Sequence, residues 1–154
     1  MDADKQPLVR RAGLDDLGSI VPLFDAYRQF YKQASDPSLA RSFLSDRLTN
    51  NESIVFVALD SNGSASGFTQ LYPSFSSGLA RRIFILNDLF VTPEGRRRGV
   101  GQALLRAAAD FGIEAGAARL TLSTALDNAA AQVLYESSGW KRDNVFCSYT
   151  LPLS

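Results

Sequence analysis

Asp88-Leu-Phe-Val-Thr-Pro-Glu-Gly-Arg-Arg-Arg-Gly-Val-Gly-Gln-Ala-Leu-Leu105 reads as an apolar strand, a basic glycine-bearing turn and the first turn of an amphipathic helix. Such a turn leaves backbone N–H groups unpaired at the positive end of a helix, a favourable place for a pyrophosphate. Arg96, Arg97 and Arg98 add side-chain donors suited to phosphate oxygens. The strand before the turn is apolar from Ile83 to Leu86 and again from Leu89 to Val91. Asn87-Asp88 breaks it, and a polar pair inside a buried-looking strand demands a reason beyond folding.

Working outward, Val100, Leu104, Ala107, Ala108 and Phe111 form one face of the helix that follows the turn. Upstream, Leu8 to Arg11 predicts a short strand, and Asp15-Asp16 supplies capping and negative charge at a helix start. Ile20, Leu23, Phe24, Tyr27 and Tyr31 follow at helical spacing, with Pro22 expected to start or kink the helix. Ser35-Asp-Pro37 breaks it, and Leu39, Phe43, Leu44 and Leu48 give a second helix ending near Asn50-Asn51. Ile54 to Leu59 and Gly67 to Tyr72, joined through Ser61-Asn-Gly-Ser64, predict a hairpin. Pro73 to Leu79 is expected as a loop and Arg81 to Val91 as a long strand. Leu120 to Leu126 predicts a strand, Asp127-Asn128 a helix start, Gly139 its stop, and Val145 to Leu151 a last strand. The order βααβββαβαβ implies one domain over residues 1–154 with a three-layer α/β fold and a mixed sheet.

At 154 residues, with 45% hydrophobic and 21% charged side chains, the chain has the size and composition of a globular domain with a proper core. Sixteen basic residues balance sixteen acidic ones, which argues against a general nucleic-acid or anionic-membrane binder. No apolar stretch is long enough to span a bilayer, and Met1-Asp-Ala-Asp-Lys lacks the apolar core of a signal peptide. The single Cys147 cannot form an internal disulfide, which suits a reducing cytoplasm, and is expected to pack in the last strand. Histidine is absent, so a Ser-His-Asp or Cys-His nucleophile and a His-ligated zinc are excluded, and no metal is expected. Acid–base chemistry must fall to carboxylates, Tyr, Lys, Cys or water.

Arg96-Arg-Arg-Gly99-Val-Gly101 resembles the Arg/Gln-x-x-Gly-x-Gly/Ala signature of the GNAT superfamily of acetyl-CoA-dependent N-acetyltransferases. The apolar strand before it, Gln102-Ala-Leu-Leu after it, Asn128 and Tyr135…Gly139-Trp140 stand in that family's order and spacing. A Rossmann fingerprint fits worse, because Gly99-Val-Gly101 lacks the third glycine and continues Gln-Ala-Leu; a Walker loop is excluded, since no Gly-Lys-Ser/Thr occurs. The resemblance implies an α/β/α fold whose mostly antiparallel central sheet splays at the cofactor site, with acetyl-CoA as cosubstrate. It implies that Leu89, Phe90 and Val91 pair with the pantetheine arm like an added strand. The stretch Arg96, Arg97, Arg98, Gly99, Val100, Gly101 and Gln102 would hold the pyrophosphate, and Asn128 would bond the pantetheine or a linked water. Asn128 also fits a helix N-cap, and both roles are compatible.

The same resemblance makes Tyr135 the general acid for the departing thiolate and the Val91 N–H a donor to the developing oxyanion. An alkylammonium must also lose a proton, and Asp88 is the candidate to attract the cation and accept or relay that proton. Many relatives in the polyamine, small-amine or basic-tail branch carry Glu where this chain has Asn87. Asn cannot act as a base, and the short reach of Asp88 points to relay through ordered water. A structural carboxylate paired with Arg81 or Arg82 is the competing reading of Asp88. Tyr27 and Tyr31, one helical turn apart, would line the acceptor site with Asn87 and Asp88; Phe24 and Phe30 suit core packing, and Tyr72 and Phe75 could close the site. The expected activity is acetyl transfer to a primary amine of a small molecule by direct attack in a ternary complex. A protein N-terminus or lysine is the alternative acceptor, and a non-catalytic acyl-CoA-binding sensor is the alternative of another class. A homodimer is a further possibility, with Val145 to Leu151 pairing across an interface.

Overall fold

Alternating apolar residues build the sheet first. In a computed structural model that describes residues 6–154, strands β1 (Leu8–Ala12), β2 (Ile54–Leu59), β3 (Ala65–Ser76), β4 (Arg81–Val91) and β5 (Leu120–Thr121) form one sheet in the order β1-β2-β3-β4-β5. The first four pair antiparallel and β5 joins β4 in parallel, giving the mixed α/β sheet expected. Residues 1–5, read above for a signal peptide, lie outside the described residues.

The sheet needs cover on both faces because strand β2 is apolar at every position. On one face Val55, Val57 and Phe68 join Ile20, Leu23 and Phe24 of helix α1 (Leu17–Phe30) and Ala40 and Leu44 of helix α2 (Pro37–Thr49). On the other, Ala58 packs with Val100 and Leu104 of helix α3 (Val100–Glu114), and Phe56, Leu89 and Val91 pack against them. These are the three layers. Pro22 lies inside α1 and leaves that helix continuous. Asp16 turns its carboxylate back to the Gly13 N–H (2.8 Å) and to the two terminal guanidinium nitrogens of Arg10 (2.7 and 3.0 Å).

Three strand expectations are corrected. Pro73 to Leu79 is no loop: β3 runs on to Ser76, with Pro73 opposite Phe84, and the turn occupies residues 77–80. The β2 ladder ends at Ile54↔Leu71, so beyond Leu71 strand β3 has β4 on one side only, and an edge tolerates a proline. The strand expected from Leu120 to Leu126 shrinks to Leu120–Thr121, paired with Phe84 and Ile85 alone. The strand expected from Val145 to Leu151 does not form. Alternation can choose a face, but a strand exists only with a hydrogen-bonded neighbour, which these residues lack among the described residues. Val145, Phe146, Tyr149, Leu151 and Leu153 are each at least 80% exposed, and Cys147, expected to pack, is exposed too.

The chain divides into a unit ending at Ser123 and a second unit, Thr124–Ser154. Within the second, helix α4 (Ala129–Ser137) starts at Asn128, whose side chain accepts from the Ala131 N–H at 3.2 Å. It stops at Gly139, left-handed with φ +92°, beyond which the Trp140 N–H reaches back to the Tyr135 carbonyl at 3.0 Å.

Gly67 is the tightest point of the first unit. A Cβ there would stand 2.8 Å from the Phe90 carbonyl oxygen and 3.0 Å from Val100 Cγ1, so β3, β4 and the start of α3 meet over a bare hydrogen. Gly67→Ala is expected to cost about 1–3 kcal/mol by overpacking. Thermal denaturation should show a Tm lower by several degrees; an unchanged Tm would mean that β4 and α3 can separate freely.

Candidate active site

The ladder between β3 and β4 skips once. Leu71 faces Leu86 and Gln70 faces Asp88, so Asn87 is an extra residue on β4, a β-bulge. Side chains on a regular strand alternate, which would place residues 86 and 88 on one face. The bulge separates them. Phe84 packs on Phe111 of α3 (ring centroids 5.1 Å apart), whereas Asp88 pairs across the ladder with Gln70 on the α1–α2 face. The carbonyl of the bulged Asn87 is thereby available to the Tyr27 hydroxyl, which donates to it at 3.1 Å. The Asp88 carbonyl is held by the buried Thr69 hydroxyl at 2.8 Å.

Asp88 is 1% exposed. Its Oδ2 accepts from Gln70 Nε2 at 2.6 Å and its Oδ1 from Asn87 Nδ2 at 2.8 Å. Burial raises its proton affinity above the ordinary carboxylate range, and hydrogen bonds from Asn87, Gln70 and Tyr27 only partly offset this. All three donors are neutral. The alternative pairing with Arg81 or Arg82 is therefore overturned: Arg81 donates to the Gly116 carbonyl and Arg82 lies over the Phe75 ring, 4.1 Å from its centroid. Tyr72, on β3, is half-buried; burial first, and then the charge of Asp88, pushes its hydroxyl pKa well above its usual value.

The four residues proposed from sequence to meet the acceptor come together here. Tyr27 touches the bulge, and Tyr31, just past the end of α1, lies 4.9 Å from it between ring centroids. The connection from α1 to α2 is tied down by a second buried carboxylate, Asp25. It accepts from the Ser35 hydroxyl (2.7 Å), the Asp36 N–H (2.7 Å) and Gln29 Nε2 (3.1 Å), and these bonds hold its pKa below the ordinary value. Asp36 in turn caps α2, accepting from the Leu39 N–H at 3.0 Å. Gln70 and Asp25 are the buried polar residues here that sequence reasoning missed. The signal was present for Gln70, a long polar side chain between Phe68 and Leu71 in a strand with apolar ends.

Past Ile85, β4 has no neighbour on the β5 side among the described residues. The Thr92 N–H bonds to the Ser66 carbonyl at 2.9 Å and the Phe90 carbonyl lies toward Gly67, so by alternation Leu89 and Val91 turn their main-chain groups to the open side. The strand then enters the basic turn. Arg97 and Gly99 are both left-handed (φ +63° and +76°), and the exposed Arg96, Arg97 and Arg98 surround them. The first bond into α3 runs from Ala103 N–H to the Gly99 carbonyl at 3.0 Å, leaving the N–H groups of Val100, Gly101 and Gln102 without helical acceptors. A Cβ built on Gly99 meets nothing within 4 Å, so the turn is open where its amides emerge. An open strand edge running into free amides fits a long cosubstrate with a diphosphate at one end. Asn128 and Tyr135 belong to the second unit, where Asn128 is the N-cap and the Tyr135 ring stands 6.1 Å from that of Trp140.

Comparison with known proteins identifies the family. The Acetyltransferase (GNAT) family matches residues 20–140. An uncharacterized N-acetyltransferase of Bacillus subtilis, YhfO, is 49% identical over 143 residues, covering 93% of this chain and 95% of the relative. A streptothricin acetyltransferase of Streptomyces lavendulae is 33% identical over 115 residues, covering 69% of this chain and 59% of its own. A crystal structure of a probable acetyltransferase superposes with a TM-score of 0.91 at 43% identity, covering 96% of this chain and 98% of that one.

The electrostatics of Asp88 carry a stability signature. A carboxyl whose folded proton affinity is raised contributes its stability below the unfolded carboxylate range, and that contribution is lost as pH rises through the folded value. Asp88→Asn removes the buried charge. The variant should gain Tm relative to the native chain as pH climbs from about 4 to about 8, by a few degrees. Melting curves across that range check this; a Tm difference independent of pH would show that Asp88 titrates as a free carboxylate.

Proposed function

The chain belongs to the acetyltransferase (GNAT) family, and from that premise we propose that it acts as one domain that transfers acetyl from acetyl-CoA to a primary amine of a small molecule. Polyamines, small amines and aminoglycoside-like molecules are the class, and the amine attacks directly in a ternary complex. The observation that carries this is the meeting, on one strand, of a buried carboxylate that has only neutral donors among the described residues and an open edge leading into the free amides of residues 100–102. The likeness to a streptothricin acetyltransferase supports a small-molecule acceptor.

Acetyl-CoA supplies the activated acetyl group and a thiolate leaving group. In this reading the amides from Arg97 to Gln102 and the guanidinium groups of Arg96, Arg97 and Arg98 hold its pyrophosphate. Leu89, Phe90 and Val91 pair with the pantetheine arm along the open edge, and the Val91 N–H donates to the thioester carbonyl oxygen. Asp88 supplies the negative charge that draws in an alkylammonium, and takes its proton through ordered water. The faces of Tyr27 and Tyr31 line the approach, and Asn87 orients Asp88 while contacting the acceptor. Tyr135 gives a proton to the thiolate, and Asn128 bonds the pantetheine or its water in addition to capping α4.

The same proposal includes a homodimer. It is supported by the tail from Val145 to Ser154, which has no charged side chain and leaves its apolar side chains exposed; an apolar surface of this kind is ordinarily covered. The single exposed Cys147 suits a cytoplasmic location.

Two measurements test these statements. Free-thiol release from acetyl-CoA over a panel of primary amines should show turnover, and Tyr135→Phe should lower it by about 100-fold or more, the scale of a lost general acid, with CoA binding intact. Unchanged turnover in Tyr135→Phe removes that residue from the acid role, and CoA binding without turnover on any amine favours a sensor. Light scattering should give twice the chain mass, falling to one chain when Val145 and Tyr149 are both changed to Asp. A native protein of single-chain mass ends the dimer proposal.

A further inference from the structure

We propose that Gln70 is a positioning residue for Asp88: its amide, fixed across the β3–β4 ladder, holds the carboxylate in its proton-accepting form and fixes its orientation. This rests on the role given above to Asp88. Gln70 is fully buried and stands directly opposite Asp88, with Nε2 2.6 Å from Oδ2. Its other amide atom, Oε1, is buried without a hydrogen-bond partner among the described residues. A residue present only to fill the core would not carry that cost of about 1–3 kcal/mol, since Leu or Met would fill a similar volume without it.

The orphaned oxygen follows from the chemistry of an amide facing a carboxyl. With Nε2 toward Asp88, one N–H meets the carboxylate and Oε1, on the far side of the amide, has no partner among the described residues. Turned over, Oε1 could accept only from a protonated Asp88 and would oppose a carboxylate; the observed orientation instead sets an N–H donor against Oδ2. The amide therefore favours the ionised carboxylate, against the burial that favours the acid. The other groups facing Asp88 do not supply a full charge. Tyr27 from α1 and Asn87 from β4 donate as neutral groups. Tyr72 from β3 is kept in its neutral form by burial and by Asp88, and Arg47 of α2 acts on Tyr72. The Gln70 bond is shorter than the one from Asn87, and it comes from the facing strand rather than from the adjacent residue.

The test is a titration of the free protein with aspartate labelled with ¹³C at the side-chain carboxyl, using Asp88→Asn to identify the Asp88 signal. Gln70→Leu and Gln70→Met should each move the Asp88 midpoint to higher pH, with proton affinity up about tenfold. Gln70→Glu, which sets a second carboxyl against the first, should move it further. A midpoint unchanged or lowered in a Leu or Met variant with a native-like amide spectrum overturns the proposal; the Met variant serves if the Leu variant does not fold. Thiol release with spermidine and with n-butylamine separates the two levels. Wild-type turnover in Asp88→Asn would remove the catalytic role of Asp88, and the titration would then decide by itself whether Gln70 holds the carboxylate ionised. A Gln70→Leu enzyme whose acid limb in kcat/KM moves up with the midpoint supports both.

Discussion

At Asn87, strand β4 carries one residue more than β3 opposite it, so Leu86 meets Leu71 and Asp88 meets Gln70. The rest of the chemical side of the molecule depends on that extra residue. Without it, side chains 86 and 88 would share a face, and the carboxylate would point into the layer under α3. With it, Phe84 and Leu89 keep their places against α3 while Asp88 turns toward Tyr27 and the α1–α2 connection. The bulge also frees the Asn87 carbonyl for the Tyr27 hydroxyl, tying the first helix to the strand that bears the carboxylate.

Two buried aspartates in the first unit show how environment assigns a role. Asp25 accepts from a hydroxyl, a main-chain amide and a side-chain amide, and these bonds keep it ionised; it is a fastener for the loop between α1 and α2. Asp88 accepts from neutral donors too, but its burial dominates and raises its hold on a proton. A carboxylate in that condition is short of one positive charge, and an ammonium group supplies both the charge and the proton. The two sites differ in what they still require, and only Asp88 stands beside the open strand edge.

That edge exists because β5 is so short. Two paired residues anchor it at Phe84 and Ile85, and beyond them the main-chain groups of Leu89 and Val91 have no strand to meet among the described residues. The same strand continues into a turn whose left-handed Arg97 and Gly99 expose the first amides of α3. Arg97 in that conformation is strained, as side chains rarely adopt it, and such strain is characteristic of binding turns. Gly67 lets β3, β4 and α3 close up behind the turn, so the amides sit on a rigid base.

By itself the sequence determined the element order as far as α4, the basic turn, the helix cap at Asn128 and the stop at Gly139, because these are local: each is fixed by residues within one or two turns of chain. It also marked Asn87-Asp88 as a place where polarity conflicts with burial. Tertiary structure decided everything that depends on a partner far along the chain. Which face Asp88 occupies was set by register against β3, a one-residue matter that alternation cannot reveal. That Gln70 rather than Arg81 or Arg82 answers Asp88 followed from the same register. The lengths of β3 and β5, and the failure of residues 145–151 to form a strand, were set by whether a neighbouring edge was present. A hydrogen-bonded ladder is a property of two segments, and neither segment records it alone.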